Sequence, residues 1–180
     1  MRRREREAEF REYVSARLER MRYFAYLSCG DWHRAEDAVQ TAFEKLYVAW
    51  ERPNPGSRDA YTRRIIVNTL INEHRRGWFR RERPAGDLPP AEAPSPDRDA
   101  ALSLLEALRR LPLGQRTTVV LRYWEDLSVD QTAREMGCTP STVKSQTARA
   151  VARLRELLPD LDPTEGEHDE PRLARVVPHP

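Results

Sequence analysis

The stretch LSVDQTAREMGCTPSTVKSQTARAVARLRELL, Leu127 to Leu158, constrains the fold more than any other part of the chain. Ser128 and Gln131 have the spacing of a capping box, in which hydroxyl and amide each satisfy an orphan N–H of a first helical turn. Gly137, four residues after the small Ala133, suits a left-handed residue that ends one helix and turns the chain. Thr139 is a favourable N-cap, and Pro140 falls at the first helical position, where its missing N–H matters little. An apolar stripe then runs through Val143, Thr147, Ala150, Val151, Leu154 and Leu158. At about 100° per residue the opposite face collects Ser141, Lys144, Ser145, Ala148 and Arg149. The pattern predicts a helix-turn-helix whose second helix enters a DNA major groove. Short polar side chains allow close approach to base edges, and Lys and Arg reach phosphates and guanines.

With 180 residues the chain holds one ordinary domain or two small ones. Charged residues are 33% of the sequence, yet the net charge is only +2. The charges are segregated. Seven arginines lie between Arg63 and Arg83, whereas Asp160 to Glu170 holds six acids and no Lys or Arg. That split predicts a polyanion-binding surface and an acidic tail. All but two of the 31 Lys and Arg are arginine, the exceptions being Lys45 and Lys144. Codon bias in a GC-rich genome accounts for most of that preference, and the planar guanidinium suits phosphate and guanine. Cys29 and Cys138 are too isolated for a metal site or disulfide framework. No apolar run approaches the ~20 residues that span a bilayer, and MRRREREAEF lacks the apolar centre of a signal peptide. A cytoplasmic protein without cofactor or metal is expected.

The chain reads as all-α, two small helical domains joined by a proline-rich linker. In residues 1–83, Phe10, Val14, Leu18, Met21 and Ala25 mark one face of a long first helix that ends at Gly30, and Asp31 can cap the next. The second helix carries Val39, Phe43, Leu46, Tyr47 and Trp50 on its apolar side. The third runs from about Ser57 to Arg76, with Ile66, Val67, Leu70 and Ile71 on one side. Residues 84–98 contain five prolines without periodicity and are expected to form a flexible linker, reaching about 45 Å if extended as polyproline II. Residues 99–158 form the second domain, with a helix through Leu102, Leu105 and Leu108, a short helix from Gln115 to Tyr123, and the helix-turn-helix. Residues 159–180 read as a disordered acidic tail.

Two more faces bear on function. On the third helix Tyr61, Arg64, Asn68, Asn72 and Arg75 gather opposite the apolar side, with Ile65 among them. Arg76, Trp78 and Phe79 follow in RRGWFRR, and rings set among arginines suit single-stranded nucleic acid, where a stacked base contributes about 1–3 kcal/mol. The second helix exposes an acidic and polar face, Asp37, Gln40, Thr41 and Glu44, with Val48 also pointing out. It reads as a solvated face or a protein-docking face. No carboxylate cluster with metal spacing, no phosphate-cradling glycine loop and no nucleophile–base pair argues for an enzyme.

Three segments, RAEDAVQTAFEKLYVAW (Arg34 to Trp50), AYTRRIIVNTLINEHRR (Ala60 to Arg76) and LEALRRLPLGQRTTVVLRYWEDLSVDQTAREMGCTPSTVKSQTARAVARLREL (Leu105 to Leu157), resemble the extracytoplasmic-function group of bacterial sigma-70 family factors. The resemblance covers about residues 8 to 158, and the RRIIVNT wording is similar to a subgroup common in actinobacteria. It implies a protein that joins core RNA polymerase and directs it to promoters. Glu36, Asp37, Gln40 and Glu44 would then dock on the clamp helices of the largest polymerase subunit. Tyr61, Arg64, Asn68, Asn72, Arg75, Arg76 and Trp78 would recognise the −10 element and hold an unstacked base. Ser141, Thr142, Lys144, Ser145, Gln146 and Arg149 would read the −35 element, and Arg116 would touch its backbone. An anti-sigma protein is a usual partner in that family. Arg63 stands where the family usually has Tyr, Tyr61 where it has Trp, Val67 where it has Arg, Asn72 where it has Asp, and Gln146 where Arg is frequent. The competing reading is a stand-alone dimeric helix-turn-helix regulator that binds a palindrome without polymerase.

Overall fold

The computed structural model describes residues 3–51, 57–77 and 96–158. These residues form α1 (Arg3–Cys29), α2 (Trp32–Ala49), α3 (Arg58–Gly77), α4 (Pro96–Arg109), α5 (Leu113–Val119), α6 (Val129–Met136) and α7 (Pro140–Leu157), and no strand is found among them. A π-helical turn, Val120–Trp124, continues α5. The ends of α1 and α2 follow the local chemistry. Gly30 adopts φ +75° and closes α1, and the Asp31 carboxylate accepts from the Arg34 N–H to start α2. The fourth helix begins at Pro96, inside the segment expected to be linker, and Pro is tolerated in a first turn. Trp78, Phe79, most of the expected linker and the expected tail from residue 159 lie outside the described residues.

α1, α2 and α3 pack as a first lobe, fastened by rings and ions. Phe10 meets Tyr47 and Trp50 edge-on at 4.9 and 5.1 Å between centroids. The Arg58 guanidinium lies 3.7 Å from the Trp50 ring centre. Tyr13 donates its hydroxyl to Asp59 at 2.8 Å, and Arg17 pairs with the same carboxylate. Burial and the acceptor Asp59 raise the Tyr13 phenol well above its ordinary range.

The second lobe, α4 to α7, does not stand apart. Phe24, Ala25, Tyr26, Leu27, Ser28 and Cys29 are consecutive and all buried, so the end of α1 is covered on every side. α2 and α3 cover part of it, and α4, α5 and the π turn cover the rest. α6 in turn packs on α3. A helix that is apolar all round belongs in the middle of a core, and this one forms the axis of a core shared by both lobes. Trp124, fully buried at the end of the π turn, lies 6.1 Å from the Tyr23 ring. The Glu125 N–H reaches back to the Val120 carbonyl at 3.0 Å, and Asp126 takes φ +51° to lead the chain away. These two irregularities aim the Glu125 side chain into the seam between lobes.

Candidate nucleic-acid and docking faces

The helix-turn-helix is built as its residues dictate. Ser128 Oγ accepts from the Gln131 N–H at 3.1 Å and Gln131 Oε1 accepts from the Ser128 N–H at 2.7 Å, which completes the capping box. Gly137 sits at φ +63°, and Thr139 Oγ1 accepts from the Thr142 N–H at 3.2 Å to cap α7. Val143, Ala150, Val151 and Leu154 are buried. Ser141, Thr142, Lys144, Ser145 and Arg149 stand exposed on the outer face, with Gln146 half-buried at its margin. Among the described residues Lys144 and Arg149 have no ion pair. A helix start bearing hydroxyls, with two cations free of ion pairs along the same face, suits a phosphate-rimmed groove.

On α3 the structure exposes Arg64, Asn68, Asn72, Arg75 and Arg76 and leaves Tyr61 half-buried. The Arg64 guanidinium sits 5.5 Å from the Tyr61 ring centre, a cation and a flat ring side by side. Arg75 and Arg76 belong to the last turn, where the helix dipole favours positive charge. Ile65, which the pattern grouped with the polar side, is buried instead. Beside Tyr61 a cavity of about 320 Å³ is bounded by Glu44, Lys45, Val48 and Ala49. Val48 there is 73% exposed, the large apolar side chain that stands out to solvent among the described residues.

The acidic face of α2 exposes Glu36, Asp37, Gln40 and Glu44. Gln40 donates to Glu44 at 2.9 Å. Arg22 of α1 donates to Glu36 and, at 3.0 Å, to Glu19, and its guanidinium is raised in pKa by those two bonds. Pattern alone missed the groove beside these acids, about 500 Å³ in volume. Phe10, Leu18, Val39, Phe43 and Tyr47 line it, with Gln40, Glu44 and the Arg22–Glu36 pair at its edge. Val39 and Phe43 are buried as the apolar stripe predicts, and Tyr47 is half-buried at the groove's edge. An apolar groove flanked by Glu44 and Asp37, which carry no ion pair among the described residues, suits a helix bearing apolar and basic residues.

Arg116 departs most from expectation. Its residue is only 8% exposed, and Nη2 donates to the carbonyls of Arg109 at 2.7 Å and Leu111 at 3.1 Å. Burial lowers its pKa to about 10. As placed, it ties off the end of α4 beneath Gly30 and cannot reach a phosphate.

Residues 13–80 match the family described as Sigma-70 region 2, and residues 101–154 match Sigma-70, region 4. The chain is 39% identical over 174 residues to an RNA polymerase sigma-E factor of Streptomyces coelicolor, covering 90% of this chain and 94% of that one. It is 32% identical over 155 residues to the ECF RNA polymerase sigma factor SigE of Mycolicibacterium smegmatis, covering 82% and 60%. A co-crystal structure of the sigma factor RpoE with the anti-sigma factor NepR from Bartonella quintana is similar in fold, with TM-score 0.71, 27% identity, and 84% and 98% of the two chains covered. The matched regions coincide with the two lobes that carry α3 and α7. No helix among the described residues is long and apolar enough to cross a membrane.

Proposed function

This chain belongs to the sigma-70 family of RNA polymerase sigma factors, in the ECF group with actinobacterial relatives, and from that membership we propose how its faces divide the work of promoter-specific initiation. The chain binds core RNA polymerase and directs it to promoters; bond formation belongs to the polymerase. Glu36, Asp37, Gln40 and Glu44 dock on the clamp helices of the largest subunit, and the adjoining groove takes an apolar side of that partner. Residues 1–83 act as the −10 domain through Tyr61, Arg64, Asn68, Asn72, Arg75, Arg76 and Trp78. Residues 99–158 act as the −35 domain through Ser141, Thr142, Lys144, Ser145, Gln146 and Arg149, with residues 84–98 as the tether and 159–180 as an acidic tail. Arg116 reaches the −35 backbone only after it leaves its buried position. An anti-sigma protein, as on the Bartonella neighbour, is the expected inhibitor, and the site of action is the cytoplasm.

One observation carries this reading: two exposed cationic faces occur on separate lobes, and an acidic face with an apolar groove beside it lies on α2. A stand-alone repressor needs one such face and no acidic groove, so that alternative is not favoured. Run-off transcription with an actinobacterial core polymerase plus this chain, over a library of genomic upstream fragments, should give discrete starts sharing two spaced elements. Absence of any start that depends on the added chain would refute the reading.

A further inference from the structure

The outer face of α7 and the chain that follows it carry opposite charges. Lys144 and Arg149 stand exposed with no ion pair among the described residues. Arg153, one turn further on, already pairs with Glu156 at 2.7 Å. Leu158 ends the helix at φ −134°, and Pro159 has no N–H with which to extend it. Six acids then lie between Asp160 and Glu170 with no Lys or Arg among them, and Arg172 and Arg175 bound the run. A helix C-terminus carries partial negative charge, so this is the unfavourable end of α7 for acids to follow. Their energy falls if the chain turns back towards the cations.

Reach permits that turn. At 1.5 Å per residue Arg149 and Lys144 stand about 14 and 21 Å back along α7 from Leu158. An extended chain of about 3.3 Å per residue carries Glu165 up to about 23 Å from Leu158 and Glu170 up to about 40 Å. The acids from Glu165 onward can therefore lie beside both cations. They are also a dilute polyanion, one charge per ~6 Å when extended, against one per about 1.7 Å on a duplex.

We propose that the acidic segment Asp160–Glu170 lies along the outer face of α7 in the free chain, with its carboxylates on Arg149 and Lys144, as an intramolecular competitor for duplex DNA. The tether holds the segment at an effective concentration on the order of millimolar, above the roughly 10⁻⁴–10⁻⁶ M at which proteins bind random duplex. Every duplex loses affinity by the same factor. A random site loses its hold, while a promoter gripped also through α3 and the polymerase keeps it. The competitor role rests on the −35 reading of α7; the contact itself does not.

The test uses the full chain. A water-soluble carbodiimide joins lysine amines to touching carboxylates, and Lys45 and Lys144 are the two lysines of the chain. Lys45 is exposed beside Tyr61 and reports on the α3 side. Peptide mapping by mass spectrometry should find Lys144 joined to Glu165, Glu167, Asp169 or Glu170. Arg149→Gln should lower that yield about threefold, as for one exposed ion pair, and added salt should lower it further. No coupling to Lys144, coupling of the segment to Lys45 instead, or a yield indifferent to Arg149→Gln overturns the contact whether or not the chain is a sigma factor. The second arm neutralises the segment with Asp160→Asn, Asp162→Asn, Glu165→Gln, Glu167→Gln, Asp169→Asn and Glu170→Gln. The neutralised chain should bind random-sequence duplex more tightly than the unaltered one. That advantage should shrink about tenfold between roughly 50 and 200 mM salt, as for two uncovered phosphate contacts. With Lys144→Gln/Arg149→Gln also present, neutralisation should change nothing, whereas a general effect of net charge would persist. Persistence there, or no gain in the original background, overturns the competitor and leaves the sigma-factor reading to the run-off assay.

Discussion

Two glycines with nearly the same backbone conformation have different neighbours, and that difference can be measured. Gly30 sits at φ +75° and Gly137 at φ +63°. A side chain forced into this region costs roughly 1–2 kcal/mol at either place. At Gly137 an added Cβ meets nothing within 4 Å, so Gly137→Ala should cost only that strain. At Gly30 the same Cβ falls 2.8 Å from Arg116 Nη1 and 3.2 Å from Arg109 Cγ. Arg116 must then move, and its bonds to the Arg109 and Leu111 carbonyls lengthen or break. Losing a hydrogen bond that involves a charged group costs about 1.5–3 kcal/mol. Gly30→Ala should therefore destabilise by about 2.5–5 kcal/mol, the sum of the two effects. Urea unfolding of Gly30→Ala, Gly137→Ala, Arg116→Ala and Gly30→Ala/Arg116→Ala tests this directly. Arg116→Ala should remove the excess, leaving a coupling of about 1.5 kcal/mol or more between residues of opposite lobes. If Gly30→Ala costs no more than Gly137→Ala, or the coupling is zero, Arg116 does not press on Gly30 in solution and the closed seam is wrong.

Asp37→Arg should abolish co-elution with core polymerase while the urea midpoint moves by no more than about 0.5 kcal/mol equivalent, because the residue is exposed; normal association would remove α2 from the docking assignment. Arg149→Ala should weaken discrimination at one upstream base pair by about 1–3 kcal/mol, read by competition among base-substituted promoters in transcription, and an unaltered preference would move base reading to other residues of α7.

The helix-turn-helix was legible in the sequence because its instructions are local. Ser128 and Gln131 cap each other within one turn, Gly137 bends the chain where it stands, and Thr139 caps the helix it begins. The ends of α1 and the start of α2 were readable at Gly30 and Asp31 for the same reason. The exposed residues of α3 and α7 also followed from the wheel, apart from Ile65. What pattern missed depends on contacts between distant segments. FAYLSC looks like one more amphipathic turn until a second lobe is known to cover its other side. Arg63 and Glu135 are 72 residues apart, and nothing near either one names the other. Arg116 was assigned to DNA because its place in the family pattern suggests that role; only packing shows it sealed against Gly30. The docking groove was hidden for a related reason. Val39 and Phe43 are buried as the stripe predicts, but periodicity does not show that they also floor a groove shared with Phe10 and Leu18 of α1.

The arginine content gains a second meaning from the same contacts. The sequence offered codon bias and nucleic-acid binding as reasons for so many guanidiniums. Much of the set is used inside the molecule: Arg17 on Asp59, Arg22 on Glu19 and Glu36, Arg20 and Arg63 in the seam, Arg58 against Trp50. Several of these need the fork itself. Arg63 uses one edge for both oxygens of Glu135 and its remaining amine for Glu125, and a lysine would supply a point charge to one of them at a time. The exposed cations include Arg64, Arg75 and Arg76 on α3 and Lys144 and Arg149 on α7, where the promoter contacts are proposed. A near-neutral total is what this division requires. Internal pairs cancel, exposed cations stand on α3 and α7, and Asp37 and Glu44 stand on α2, so a small net charge coexists with faces of opposite sign meant for different partners.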